Sequence, residues 1–176
     1  DFTDRPLPYR VFLDGGYNDD GLQATYVLPT NFYAEIGGGL FRGDDYPFGG
    51  SDGEGIDAWT AYARTGGDIG ENQSWRLGGS VLSGKSTTGR ESNHELVSYV
   101  GDTDLYIADA RYTWAPTGNA TNQEFALQGE FFWKEEDGFY SDAESGADSV
   151  LMDDSSEGWY TQATYKFARN WRFGAR

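Results

Sequence analysis

The chain has 176 residues, 29 of them acidic and 13 basic, for a formal net charge of −16. An acid excess of that size argues against a phosphate-neutralising nucleic-acid binder, and the absence of Cys with a single His, His94, removes disulfide frameworks, zinc fingers, thiol nucleophiles and His-based triads. No apolar run approaches ~18 residues, which excludes a transmembrane helix, yet 11 Phe, 12 Tyr and 6 Trp are too many rings for a disordered acidic chain.

Gly at 25 residues against 5 Pro favours strands and turns, and period-two alternation dominates the pattern. Residues 9–16 (YRVFLDGG) set Tyr9, Val11 and Leu13 against Arg10, Phe12 and Asp14 and read as a first strand. Residues 22–28 (LQATYVL) read as a second, and after Pro29–Asn31 the segment 32–41 (FYAEIGGGLF) reads as a third. Further strands are predicted over 58–65, 74–83 and 105–114. In 124–134 (EFALQGEFFWK) Phe125, Leu127, Gly129, Phe131 and Trp133 face one way and Glu124, Gln128, Glu130 and Lys134 the other. The eighth strand is 159–167, and a ninth starts at Trp171. No segment near Asp1 has the apolar core of an export signal, so such a signal is expected to be removed or to lie beyond these residues.

The connections alternate in length. Residues 29–31, 66–73, 115–122 and 168–170 are short, whereas 42–57, 84–104 and 135–158 are long and hold most of the carboxylates. Short turns on one rim and long loops on the other are the pattern of transmembrane β-barrels, with strands of ~9–11 residues and aromatic girdles at both interfaces. The strand charges Arg10, Asp14, Glu35, Arg64, Arg76, Asp109, Arg111, Glu124, Glu130, Lys134, Lys166 and Arg172 all fall opposite the more apolar face. In a barrel this predicts a lumen lined by Arg10, Glu35, Arg64, Arg76, Asp109, Arg111, Glu124, Glu130 and Lys166. It likewise predicts a lipid-facing band with Trp59, Trp75, Phe125, Phe131, Trp133, Trp159, Tyr165 and Phe167, since a charge at mid-bilayer costs ~2–4 kcal/mol.

Several motifs lead elsewhere and are weighed here. Gly79–Ser86 (GSVLSGKS) fits G-x-x-x-x-G-K-[ST] letter for letter, but Thr87–Arg90 cannot open the helix that a phosphate loop needs, and Lys85 reads as a loop residue. Residues 49–57 (GGSDGEGID) have the flavour of a calcium-binding glycine-aspartate repeat. They occur once, so a solvated acidic loop is expected, with weak Ca²⁺ or Mg²⁺ bridging as the alternative, and the same holds for Asp142, Glu144, Asp148, Asp153, Asp154 and Glu157. His94 beside Glu95 reads as exposed, and adjacent pairs such as Glu135-Glu136 lack the cleft-spanning separation of a glycosidase. No catalytic residue, resident cofactor or metal ligand is assigned.

The stretch 106–140 (YIADARYTWAPTGNATNQEFALQGEFFWKEEDGFY) and 160–176 (YTQATYKFARNWRFGAR) resembles Gram-negative outer-membrane porins and porin-like receptor barrels, including members labelled zinc-regulated outer-membrane receptors. The resemblance implies an outer-membrane location and the passage or uptake of solutes, and no ligand residue is carried over from it.

The sequence therefore predicts an all-β fold, an antiparallel transmembrane β-barrel of eight strands plus the start of a ninth, one domain or barrel segment over residues 1–176, and part of a larger barrel. The expected function is a non-enzymatic outer-membrane channel for small hydrophilic solutes. Its partners would be the lipid bilayer, lipopolysaccharide and other copies of itself, with no nucleic acid. Weak anion preference would come from Arg64, Arg76 and Arg111, unless these are interior salt bridges to Asp109 and Glu124. A small closed barrel acting as anchor or adhesin, and a soluble acidic β-protein binding sugar or calcium, stay open as alternatives.

Overall fold

Pro6-Leu7-Pro8 opens the one helix among the described residues, and the reason is local. Proline is tolerated in a first helical turn, where its missing N–H has no partner to lose. The computed structural model describes the chain except residues 1, 3, 50–54, 87–88, 93–94 and 143–149, and describes backbone alone at 89–92, 95–98 and 142. In it α1 spans Leu7–Leu13 and ends at Asp14 in the left-handed conformation, φ 45°, followed by Gly15 and Gly16 at positive φ. The expected strand over residues 9–16 is therefore a helix. Pro8, Phe12 and Leu13 are buried while Arg10 and Val11 are exposed, a four-residue spacing that belongs to a helical stripe. The Tyr9/Val11/Leu13 alternation is incidental to it, and Arg10 is a solvent-side helical residue, not a strand charge.

The rest of the chain is all-β. The strands are β1 (Gly21–Val27), β2 (Tyr33–Phe41), β3 (Ala58–Ile69), β4 (Gln73–Ser86), β5 (Gly89–Ser92), β6 (Glu95–Trp114), β7 (Glu124–Asp142), β8 (Val150–Ala168) and β9 (Trp171–Ala175). They form one open antiparallel sheet in the order β1-β2-β3-β4-β6-β7-β8-β9, with β5 paired to the upper part of β6. The sheet does not close on itself, because β1 and β9 are its two edges.

Three strands run far beyond their expected ends. The stretches 84–104 and 135–158, predicted as long loops, are largely β4, β6, β7 and β8, so Lys85, Glu135, Glu136, Asp153, Asp154 and Glu157 are strand residues. Apolar letters come there in adjacent pairs, such as Tyr99-Val100, Phe139-Tyr140 and Val150-Leu151, among polar ones, which erases the period-two signal, while the backbone pairing continues unbroken through Asp102↔Asp137↔Asp153 and Thr103↔Glu136↔Asp154. The turn between β3 and β4 likewise shrinks to residues 70–72, with Gly70 at φ 68° where an L side chain would be strained. The connections 28–32, 70–72, 115–123 and 169–170 join strands at one end of the sheet and the β2–β3 connection joins strands at the other. With 84–104 and 135–158 mostly strand, the expected contrast in loop length between the rims rests on that β2–β3 connection.

Register assigns the faces. Residues directly opposite in an antiparallel pair share a face, so one side carries the row Leu22, Leu40, Trp59, Ser83 and the row Ile69, Gln73, Trp114, Phe125, Tyr165, Phe173. The opposite side carries Glu35, Arg64, Asp109 and Glu130. The buried cluster lies on the second, charged side: Leu82, Leu105, Phe132 and Tyr160 from the sheet, Phe12 and Leu13 from α1, and Phe48 from the β2–β3 connection. Phe12 stacks on Phe132 with ring centroids 5.8 Å apart and planes 9° apart, and it presses on Gly158, where a Cβ would stand 2.7 Å from its ring. Residues 2–20 thus run along the charged face, from Phe2 beside Thr164 and Gly174 up to Asp20, whose carbonyl accepts the Arg42 N–H.

Candidate functional site

Two adjacent register rows organise the charged face. The first runs Glu35, Arg64, Gly78, Asp109, Glu130, Tyr160, and the second Tyr33, Gly66, Arg76, Arg111, Gln128, Gln162. Acids dominate the first row and arginines the second, so attraction acts both within and between rows. Arg64 lies 3.7 Å from Glu35 and 4.7 Å from the centre of the Tyr62 ring. Arg76 reaches across rows to Asp109 at 3.3 Å. Gly78 makes this possible, because a Cβ there would collide with the Asp109 carboxylate and crowd the Arg64 stem.

Glu130 is held from above by the helix. The Tyr9 hydroxyl donates to its Oε2 at 2.6 Å, and the Gln128 amide donates to its Oε1 at 3.2 Å and to the Tyr160 oxygen at 3.1 Å. Burial first, and the bond to Glu130 second, push the Tyr9 hydroxyl above its ordinary ionisation range. Higher up, Lys134 pairs with the buried Glu136 at 2.9 Å, and the Ser86 hydroxyl donates to the Pro47 carbonyl. In the connector after α1, Tyr17 donates to Asp19 at 2.7 Å while the Gly43 N–H donates to the same carboxylate oxygen at 2.6 Å. Burial and the Asp19 bond raise the Tyr17 hydroxyl in the same sense.

Arg111 differs from its neighbours. It stands directly opposite Arg76, a like-charge juxtaposition that disfavours pairing. Arg76 has Asp109 and Glu130 has Tyr9 and Gln128, whereas Arg111 makes no ion pair with any described residue. It opens instead into a cavity of about 340 Å³ on the charged face.

The apolar face has the opposite character. From Phe125 to Trp133 no charge interrupts it on β7, and its register partners are Trp114, Tyr112, Ala110, Ala108 and Tyr106 on β6 and Tyr165, Ala163, Thr161 and Trp159 on β8, with Glu157 opposite Trp133 at the upper border. Leu22 is 84% exposed, Trp159 68% and Phe173 69%. Trp59, Tyr106, Trp133 and Trp159 cluster near its upper border, and Trp75, Tyr112, Trp114, Phe125, Tyr165 and Phe173 near its lower border. Directly above the upper rings come Asp104, Glu135 and Glu157, followed by Asp102, Asp137 and Asp153.

Of the eight aromatics expected on one face, Trp59, Trp75, Phe125, Phe131, Trp133, Trp159 and Tyr165 share this apolar side by register, and Glu35, Arg64, Arg76, Asp109, Arg111, Glu124, Glu130 and Lys166 occupy the other. Phe167 falls at the irregularity between Lys166 and Ala168 and has no register partner. Arg10 is the exception, standing on α1. Gly79–Ser86 is continuous strand without a following helix, which removes the phosphate-loop geometry. Residues 50–54, His94, Glu144 and Asp148 lie outside the described residues. Among the described residues no group of three His, Asp or Glu side chains converges as a metal site. Sequence reasoning placed Tyr9 on the apolar side of a strand, whereas the structure sets it on α1 with its hydroxyl on Glu130. The Pro-x-Pro start and Asp-Gly-Gly end of the helix were the signals available.

The chain matches no protein-family model and no solved structure. It is similar to a protein of Aquifex aeolicus (strain VF5) described as uncharacterized, with 25% identity over 187 residues, covering 99% of this chain and 38% of the relative. The chain thus spans less than two-fifths of that relative's length.

Proposed function

We propose that the sheet is part of the wall of an antiparallel transmembrane β-barrel in a bacterial outer membrane, and that the protein is a porin-like channel for small hydrophilic solutes. One observation carries the reading: among the described residues no element covers the apolar face, with rings at both borders, while the charged face holds α1 and the buried cluster. A water-soluble sheet does the reverse, packing its apolar face and wetting its polar one. A contiguous patch of this size is far beyond what soluble monomers expose.

Dimensions agree. Eight residue steps from Phe125 to Trp133 are about 27 Å along the strand, or ~20 Å of height at the usual 35–45° tilt, close to the ~25 Å apolar band of such barrels. β6, β7 and β8, at 20, 19 and 19 residues, are nearly twice the ~9–11 needed to cross. Their upper halves would stand above the bilayer, with the acidic border at the level of lipid and lipopolysaccharide headgroups.

The open edges argue for a larger barrel. Unpaired backbone groups on β1 and β9 cannot face hydrocarbon, so additional strands would complete the wall, and the Aquifex relative is long enough to supply them. Eight strands alone would enclose only side chains. With Arg64 and Arg76 neutralised locally, weak anion preference would rest mainly on Arg111.

The test is conductance in planar bilayers with the full chain, or with the longer protein if the chain does not close. Discrete ohmic steps, and a reversal potential that shifts toward cations in Arg111→Ala, are expected. Absence of any conductance from a barrel shown to be inserted would overturn the channel reading.

A further inference from the structure

The cavity beside Arg111 has the chemistry of a ligand site. Its wall is built by consecutive register positions of β6, β7 and β8, with Arg111, Gln128 and Gln162 in one row and Ala126 and Thr164 in the next. A strand-borne wall is more precise than one made of loops. Its far side is formed by Phe2, Asp4, Arg5, Pro6 and Arg176.

The polar groups are unevenly satisfied. Arg176 is already engaged, donating to the Asp4 carboxylate at 3.0 Å and to its carbonyl at 3.1 Å, with its guanidinium 4.8 Å from the centre of the Phe2 ring. Arg111, Gln162 and Thr164 have no side-chain hydrogen bond or ion pair to a described residue. The acids nearest in register, Asp109 and Glu130, are taken by Arg76 and by Tyr9 with Gln128. On the strand-borne wall the uncompensated guanidinium fork of Arg111 therefore lies beside an amide and a hydroxyl that each offer a donor and an acceptor.

We infer that this cavity binds a small solute bearing one carboxylate and neighbouring hydroxyls, of the sugar-acid type. The carboxylate docks on the Arg111 fork in the bidentate geometry that guanidinium prefers, and the hydroxyls meet Gln162, Thr164 and the free carbonyl oxygen of Gln128. The Asp4–Arg176 pair shows the same chemistry made internally, with a carboxylate of the chain on the adjacent arginine. Arg5 also lines the cavity, but its guanidinium packs against Gly16, so the fork on the strand wall is that of Arg111. One such fork suits a monoanion, and the cavity of about 340 Å³ lies at the small end of the ~300–1,000 Å³ range of ligand sites. The inference rests on the reading of the charged face as a solute path, and it names the solute class that this path would hold.

Equilibrium binding of D-gluconate to the full chain in detergent micelles, at constant ionic strength, tests it without requiring a conducting pore. Saturable binding is expected in the wild type, weakened by about tenfold or more in Arg111→Gln and less in Gln162→Leu, with sorbitol failing to bind and inorganic phosphate competing poorly. Circular dichroism shows whether each variant is folded, and Arg111→Lys, which keeps the charge and loses the fork, should fall between wild type and Arg111→Gln. No saturable gluconate binding, affinity unchanged in folded Arg111→Gln, or phosphate competing as well as gluconate would each overturn the site. Because the assay reads binding alone, its failure leaves the channel reading standing, and loss of conductance with intact binding would do the converse.

Discussion

Asp109 on β6 faces Gly78 on β4, and its carboxylate fills the space where a Cβ at residue 78 would lie. That vacancy lets Asp109 reach Arg76 and leaves room for the Arg64 stem. Gly79, one step along the same strand, points to the apolar face with its nearest neighbour, the Ile107 carbonyl oxygen, 4.0 Å from a Cβ. Gly78→Val is therefore expected to destabilise the fold by about 1–3 kcal/mol through overpacking and a displaced ion pair, while Gly79→Ala is tolerated. Urea unfolding of the detergent-solubilised chain, followed by Trp fluorescence, checks both, and equal effects would show that the two glycines do not differ in environment.

The faces themselves are tested by lipid contact. Brominated lipid should quench Trp133 and Trp159 in reconstituted protein, and spin labels at Gln128 and Lys166 should report water. Leu127→Arg, near the middle of the band, is expected to cost ~2–4 kcal/mol, whereas Gln162→Arg on the charged face costs far less. Unquenched Trp133 and Trp159 beside lipid-reporting labels at Gln128 and Lys166 would invert the assignment.

Orientation follows from rim asymmetry. Residues 42–57 should be cut by protease added to intact cells, while the short 115–123 connection, closed by the Ala115 N–H on the Asn72 carbonyl and the Gln123 N–H on the Asn119 carbonyl, survives. Cleavage near Thr117 with 42–57 intact would reverse the rims.

Tyr17 makes the stability pH-dependent at the alkaline end. Its hydroxyl is raised above 10.0, chiefly by burial and then by its bond to Asp19, so the folded state holds this proton more tightly than the unfolded chain does. The contribution is fully present below pH ~10 and is lost as pH rises through the higher folded value. Tyr17→Phe should cost roughly 1 kcal/mol at neutral pH, the scale of one partly exposed hydrogen bond to a charged acceptor, with the gap to wild type closing above pH ~10. A gap that stays constant to pH 12 would remove the Tyr17–Asp19 bond as its source.

Which residues share a face was legible in the sequence from Gly21 onward, because side chains on a strand alternate without exception and one apolar face imposes that period on the letters. Glu124, Gln128, Glu130 and Lys134 against Phe125, Leu127, Phe131 and Trp133 needed no coordinates. The same rule misread residues 9–16, where Tyr9, Val11 and Leu13 alternate by coincidence on a helix whose buried stripe is Pro8, Phe12 and Leu13. It fell silent over 95–104, 135–142 and 150–158, where apolar letters come in adjacent pairs among polar ones and only backbone pairing defines the strand. Tertiary structure alone decided that α1 folds against the charged face, that Arg64 and Arg76 are matched by Glu35 and Asp109 while Arg111 is left to face a cavity, and that β1 and β9 remain edges. Those outcomes depend on register between strands distant in sequence, and a one-residue shift would have exchanged every partner while leaving the local alternation of each strand unchanged.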